Sequence, residues 1–134
     1  MAVIDASVYI AAVNAHEEPH ERSLRWLQQA AAEELQVWAP SIMLAEVAAA
    51  LARGLQDPAQ AMRAVALLRN SKVIRLQQVS VALAERAARL AAEQKIRGCD
   101  AVYVALAAQL DQPLVTLDRQ QCACGGKVVQ AIEL

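Results

Sequence analysis

The feature that most constrains this chain is a series of short, predominantly apolar runs separated by helix-length segments. Ala2-Val3-Ile4, Val37-Trp38-Ala39, Val73 to Leu76 and Leu114 to Leu117 are only three or four residues each. Runs this short, apolar and not strictly alternating fit strands buried on both faces. Parallel strands need long crossovers, usually helical, and helix-length segments are what separate these runs. A weaker pair, Val128-Val129 with Ala131-Ile132, predicts a last strand near the C-terminus. The expectation is an α/β fold with a central parallel sheet of four to five strands, covered on both faces and joined by right-handed crossovers.

Helix signals fill the gaps. Ala6 and Ser7 lead into a helix-compatible stretch from Val8 to Val13. Pro19 suits the first turn of a helix in which Leu24, Leu27 and Ala31 share a face. Pro40-Ser41 opens a helix from Ile42 to Arg53, closed by Gly54, and Asp57-Pro58 caps another that runs to Asn70. Leu83, Ala87, Leu90 and Ala91 mark one stripe of a helix over Val79 to Gln94, and Ala101 to Leu110 form another behind Gly98. Thirty alanines, no Phe and 3% aromatic residues favour closely packed helices over an aromatic-rich sandwich. No repeat or linker breaks the chain, so residues 1–134 read as one domain.

Composition removes several functional classes. With 57% hydrophobic and 20% charged residues the chain is not disordered. Its longest uncharged runs fall well short of the ~20 residues that span a bilayer. Asp5, with no basic residue ahead of it, argues against a secretory signal, so a soluble cytoplasmic protein is expected. Three cysteines suit a reducing compartment rather than a disulfide framework. A net charge of −1 and a pI near 6.1 mean that any nucleic-acid site is local.

Four of the fourteen acidic residues stand apart from solvated helix faces. Asp5 and Asp118 directly follow predicted strands, where parallel sheets carry their sites. Asp100 opens an apolar helix, and Glu46 is the only charge between Ile42 and Leu51. Helix capping, worth about 1 kcal/mol, is a sufficient reason for each aspartate taken alone. Glu46 needs more, because a buried carboxylate requires water, an Arg such as Arg53, or a metal ion. One explanation covers all four: carboxylates converging on one sheet edge to hold Mg²⁺ or Mn²⁺, hard cations that favour oxygen ligands. Metal-assisted phosphodiester hydrolysis is the chemistry such a site serves.

The order strand-Asp5-Ala6-Ser7, Pro40-Ser41 leading to Glu46, Gly98-Cys99-Asp100-Ala101, and Leu114-Val115-Thr116-Leu117-Asp118-Arg119 resembles the PIN-domain nucleases over nearly the whole chain. It looks most like the small VapC-type toxins of toxin–antitoxin pairs. The resemblance implies a three-layer α/β/α fold and a metal site of Asp5, Glu46, Asp100 and Asp118, supported by the hydroxyls of Ser7 and Thr116. It also implies endoribonuclease activity, a homodimer and an antitoxin partner that occludes the site. Some family members carry a further acid after the position of Asp118; here Gln120, Gln121 and Cys122 stand there.

Other signals have simpler readings. His16-Glu17-Glu18-Pro19-His20 matches a zinc-protease pattern, but Pro19 prevents the helical turn that both imidazoles need. Cys122-Ala123-Cys124 with Gly125-Gly126 reads as a surface turn, Cys99 as a small buried residue, and Trp26 and Trp38 as core or groove residues. Lys95, Arg97 and Arg119 flank the acids and form a candidate basic rim for RNA phosphates, although Lys95 and Arg97 also complement a helix C-terminus. A PIN-like RNA- or protein-binding module without cleavage activity is the alternative. A phosphorylated receiver is excluded, since Arg75-Leu76-Gln77-Gln78 offers no phosphoacceptor aspartate.

Overall fold

The computed structural model describes residues 1–134. In chain order the elements are β1 (Ala2–Ile4), α1 (Ala6–Val13), α2 (His20–Ala32), β2 (Val37–Pro40), α3 (Met43–Leu55), α4 (Pro58–Arg69), β3 (Ile74–Gln77), α5 (Val81–Gln94), α6 (Gly98–Leu110), β4 (Leu114–Thr116), α7 (Arg119–Gly125) and β5 (Ala131–Glu133). The strands form one sheet in the order β3-β2-β1-β4-β5, parallel throughout. Right-handed crossovers put α1 to α4 on one face and α5 to α7 on the other. The packing agrees: α1 lies on α2 and α3, α3 on α4, and α6 on α5 and α7. This is the three-layer α/β/α architecture that the sequence resemblance implies.

Strand burial explains the short apolar runs. Val3, Ile4, Val37, Ala39, Leu114 and Val115 are all fully enclosed, so both faces of the central strands meet helices. Helix α6 contacts β1, β2 and β4 from one side and α5 from the other, and Ala101 and Tyr103 to Ala107 are buried. A helix apolar on every side is one enclosed on every side. Its alanines permit that enclosure by letting neighbouring backbones approach.

The chain leaves β1 toward β2 and β3, then crosses back to lay β4 on the opposite side of β1. The reversal makes the carboxyl ends of β1 and β4 a topological switch point, where open α/β sheets hold their ligands. Asp5 and Asp118 sit just past those two ends.

Several boundaries differ from the sequence reading. Gly54 lies inside α3, and Gln56 takes the left-handed conformation (φ 53°) after its last residue. Leu51 and Leu55, one turn apart on α3, both pack against the core and carry the helix past the glycine. Residues 122–125, expected as a surface turn, belong to α7, which the Asp118 side chain caps. Gly125 is buried there, and a Cβ would stand 3.3 Å from Val104 Cγ2 and 3.4 Å from Leu114 Cδ2, so its smallness allows α7 to approach α6 and β4. Val128 and Val129 precede β5 rather than joining it, and β3 begins one residue later than expected. No helix is long and apolar enough to cross a membrane.

Gly54 is helical and exposed, with nothing within 4 Å of an added Cβ. Gly54→Ala therefore raises stability in urea unfolding by about 1 kcal/mol. A loss of stability would mean that the helix closes at residue 54 in a left-handed turn.

Candidate metal centre at the carboxyl edge of the sheet

Asp5 caps α1, its Oδ1 accepting the backbone N–H of Ser7 at 3.0 Å. The hydroxyls of Ser7 and Thr116 donate to its two carboxylate oxygens. Each hydroxyl also accepts a backbone N–H from the turn after β4: Ser7 Oγ from Leu117 at 3.1 Å, and Thr116 Oγ1 from Asp118 at 3.0 Å. Ser7 and Thr116 thus lock the β1 and β4 turns to one carboxylate. Burial outweighs these hydrogen bonds and raises the Asp5 pKa from 3.8 to about 6.

Glu46 faces the same edge from α3. Neither Arg53 nor another cation pairs with it. Tyr103 Oη donates to Glu46 Oε1 at 2.7 Å, joining α6 to α3. Burial, reinforced by the charge of Asp100, raises the Glu46 pKa against the lowering effects of Tyr103 and Arg97. Burial and the neighbouring Glu46 charge raise the Tyr103 pKa as well, so the phenol keeps its proton and remains a donor.

Asp100 is not a cap. It is the third residue of α6, and Arg97 Nε donates to its Oδ2 at 2.8 Å. Asp118 does cap its helix, accepting from Gln120 N–H at 2.8 Å and Gln121 N–H at 3.1 Å. The exposed Arg97 guanidinium reaches Asp118 at 3.7 Å, so one cation bridges the two aspartates. Its hydrogen bond and charge interaction with Asp100 raise the Arg97 pKa. The side chain of Gln121, 2% exposed, donates to the Asp100 carbonyl at 3.0 Å and ties the start of α7 to that of α6.

The four acids therefore occupy one edge as a linked set: Asp5 to the Asp118 turn through Thr116, Asp118 to Asp100 through Arg97, and Glu46 to α6 through Tyr103. No three acidic, His or Cys side chains close on a single point. The donor chemistry nonetheless fits a hard divalent cation. All the candidate ligands are oxygens, and two of the carboxylates, Asp5 and Glu46, form no ion pair.

The basic rim is reduced. Arg97 touches the acids directly, whereas Arg119 pairs with Glu133 at 3.1 Å because β5 runs parallel to β4 with Glu133 opposite Thr116. Lys95 ends α5 in a left-handed, exposed conformation. Cys99 is exposed rather than buried, since it falls on the outer side of the first turn of α6. His16 lies in a loop and His20 begins α2 with Nδ1 at 2.7 Å from the Ala11 carbonyl, so the zinc-protease pattern is not on one helix. A groove of about 430 Å³ beside Asp118 is lined by Ser7, Ile10, Ala11, Pro19, Ala50 and Leu117. The tryptophans are not part of it; both pack partly buried against the core, with Arg75 over the Trp38 ring.

Tyr103 and Gln121 are the polar contributors that sequence reasoning missed. Only one signal pointed to Tyr103: it lies three residues after Asp100, on the same helical face.

Because the folded-state pKa of Asp5 is raised, its contribution favours folding most below pH 3.8 and is lost as the pH rises through about 6. The gap between 3.8 and about 6 corresponds to about 3 kcal/mol. In excess EDTA, Asp5→Asn gains up to that amount over wild type at pH 8 and gains little at pH 4, measured by urea unfolding at both pH values.

Residues 2–127 match the sequence model of the PIN domain. The chain is similar in structure to VapC20 of Mycobacterium tuberculosis, a sarcin–ricin-loop-cleaving toxin. The TM-score is 0.79 at 25% identity, over 93% of this chain and 95% of that one. FitAcB of Neisseria gonorrhoeae shares the fold at 19% identity and TM-score 0.73, over 99% of this chain and 97% of that one. VapBC2 of Rickettsia felis, solved with a promoter DNA fragment, does so at 15% identity and TM-score 0.72, over 99% and 98%. No curated protein sequence matches. With its profile matched almost end to end and the switch-point architecture shared, this chain belongs to the PIN domain family.

Proposed function

We propose that this protein is a divalent-cation-dependent endoribonuclease that hydrolyses RNA phosphodiester bonds as the toxin of a toxin–antitoxin pair. The supporting observation is the linked acidic edge at the switch point, in which Asp5 and Glu46 carry raised pKa values and form no ion pair. Asp5, Glu46, Asp100 and Asp118 would hold Mg²⁺ or Mn²⁺. Bound there, the cation supplies the charge that activates water and stabilises the leaving oxygen.

The remaining steps belong to the chain itself. Ser7 and Thr116 orient Asp5 through hydroxyl donation, and the N-cap of α7 fixes Asp118. Arg97, exposed at the rim, is free on one side to engage a phosphate; Lys95 would add positive charge beside it, and Arg119 would do so on leaving Glu133. The apolar groove beside Asp118 suits a helix of a cognate antitoxin, whose basic side chain would reach the acids. Alanine-rich surfaces on segments 42–53 and 79–94 suit a symmetric homodimer. Action on cellular RNA implies a cytoplasmic setting.

A non-cleaving RNA- or protein-binding module is the second reading, favoured by the lack of any three acids closed on one point. One experiment separates the two. Purified protein cleaves RNA in Mg²⁺ or Mn²⁺ and stops in EDTA. Asp100→Asn lowers the rate about a hundredfold or more while retaining its circular dichroism spectrum. Expression of wild type then arrests growth, and Asp100→Asn does not. Equal cleavage in excess chelator overturns the metal mechanism, and no cleavage with intact RNA binding favours the module.

A further inference from the structure

We propose that Tyr103 is a positioning residue for Glu46, holding the carboxylate by Oε1 so that Oε2 is left to meet the cation. This deepens the metal-dependent reading and rests on it. The contact is a 2.7 Å hydrogen bond between residues 57 apart in sequence. It joins the two helical layers, with Tyr103 on α6 beneath the sheet and Glu46 on α3 above it. Tyr103 is 1% exposed, and its neighbours Ala101, Val104, Ala105, Leu106 and Ala107 are buried too. A ring so enclosed cannot swing away, and its hydroxyl is a fixed point at the edge of the site. Asp100 lies one turn earlier on the same helix, so α6 delivers one carboxylate and orients a second.

The kind of donor matters as much as its place. A lysine or arginine would also satisfy Glu46, but would cancel the charge that a cation needs. The phenol orients the carboxylate and leaves its charge intact. Asp5 is treated in the same way by Ser7 and Thr116, so hydroxyls hold both of the acids that form no ion pair. The structure also holds its own control. Tyr9, equally a buried tyrosine, donates to the Ala64 carbonyl at 2.7 Å, a contact between α1 and α4 that involves none of the four acids.

The experiment measures Mn²⁺ binding by isothermal titration calorimetry in wild type, Tyr103→Phe and Tyr9→Phe. Tyr103→Phe is expected to bind Mn²⁺ about tenfold more weakly, the scale seen when a partner orienting a metal ligand is removed. Raising Mn²⁺ should then restore most of the cleavage rate. Tyr9→Phe, which loses the same kind of buried hydrogen bond, should retain wild-type affinity even where its melting temperature falls. Equal affinity in wild type and Tyr103→Phe overturns the positioning role and leaves the metal-dependent reading standing. A wild type that binds no Mn²⁺ overturns both. A second comparison holds even if Tyr103→Phe alone fails to fold. In a Glu46→Gln background, adding Tyr103→Phe should cost no further affinity, and an additional tenfold loss would show that Tyr103 acts by another route.

Discussion

The hydrogen bond from Thr116 to Asp5 closes the carboxyl ends of β1 and β4 onto one another, and the acidic edge is assembled around it. These two strands are neighbours only because the chain reverses direction across the sheet after β3. Their ends are thus the one place where a turn from the first residues meets a turn from near the last. Thr116 is fully buried, accepts the Asp118 N–H and donates to Asp5, so one side chain sets both turns. Ser7 repeats the arrangement from the other side through Leu117. An apolar residue at either position would remove one donor from the buried carboxylate and leave one backbone N–H without its partner.

Around that joint the acids divide by the kind of partner they meet. Asp5, which is buried, and Glu46, which is partly buried, are held by hydroxyls, which orient without neutralising. Asp100 and Asp118, also partly buried, share the exposed Arg97. The difference follows from desolvation. A guanidinium buried beside Asp5 would bring its own desolvation cost, whereas an exposed one bears little and gains little. Asp5 and Glu46 are therefore oriented without being neutralised, and their raised pKa values are the cost of that arrangement.

The fold was legible because its determinants are local: short apolar runs that become the buried central strands β1, β2 and β4, caps at Asp57 and Asp118, and acids at strand ends. What escaped depends on contacts between distant segments. The end of α3 is decided by where Leu51 and Leu55 find the core, not by the nearest glycine. The short α7 forms because Asp118 caps it and Gly125 lets it settle against Val104 and Leu114. The positions of the four acids along the chain were readable, while their partners were not. Tyr103 and Gln121 find Glu46 and the Asp100 carbonyl only after α3, α6 and α7 are stacked.

The alanine content, at first a statement about helices, also bears on the site. Helix α6 carries Asp100 and Tyr103 at one end, and any play in its seat would move both groups relative to Glu46 on the opposite layer. Ala101, Ala105 and Ala107 are fully buried and bring α6 close to its neighbours, where larger side chains would hold it away. Alanine has no side-chain rotamers to lose, so this close seat forms at little entropic cost and has few alternative packings. Bulkier residues at these positions would keep the core apolar but shift the helix, and a shift of the order of 1 Å is enough to spoil a catalytic geometry. The small residues of α6 thus have a positional role: they fix the distance across the sheet edge over which Tyr103 and Glu46 meet.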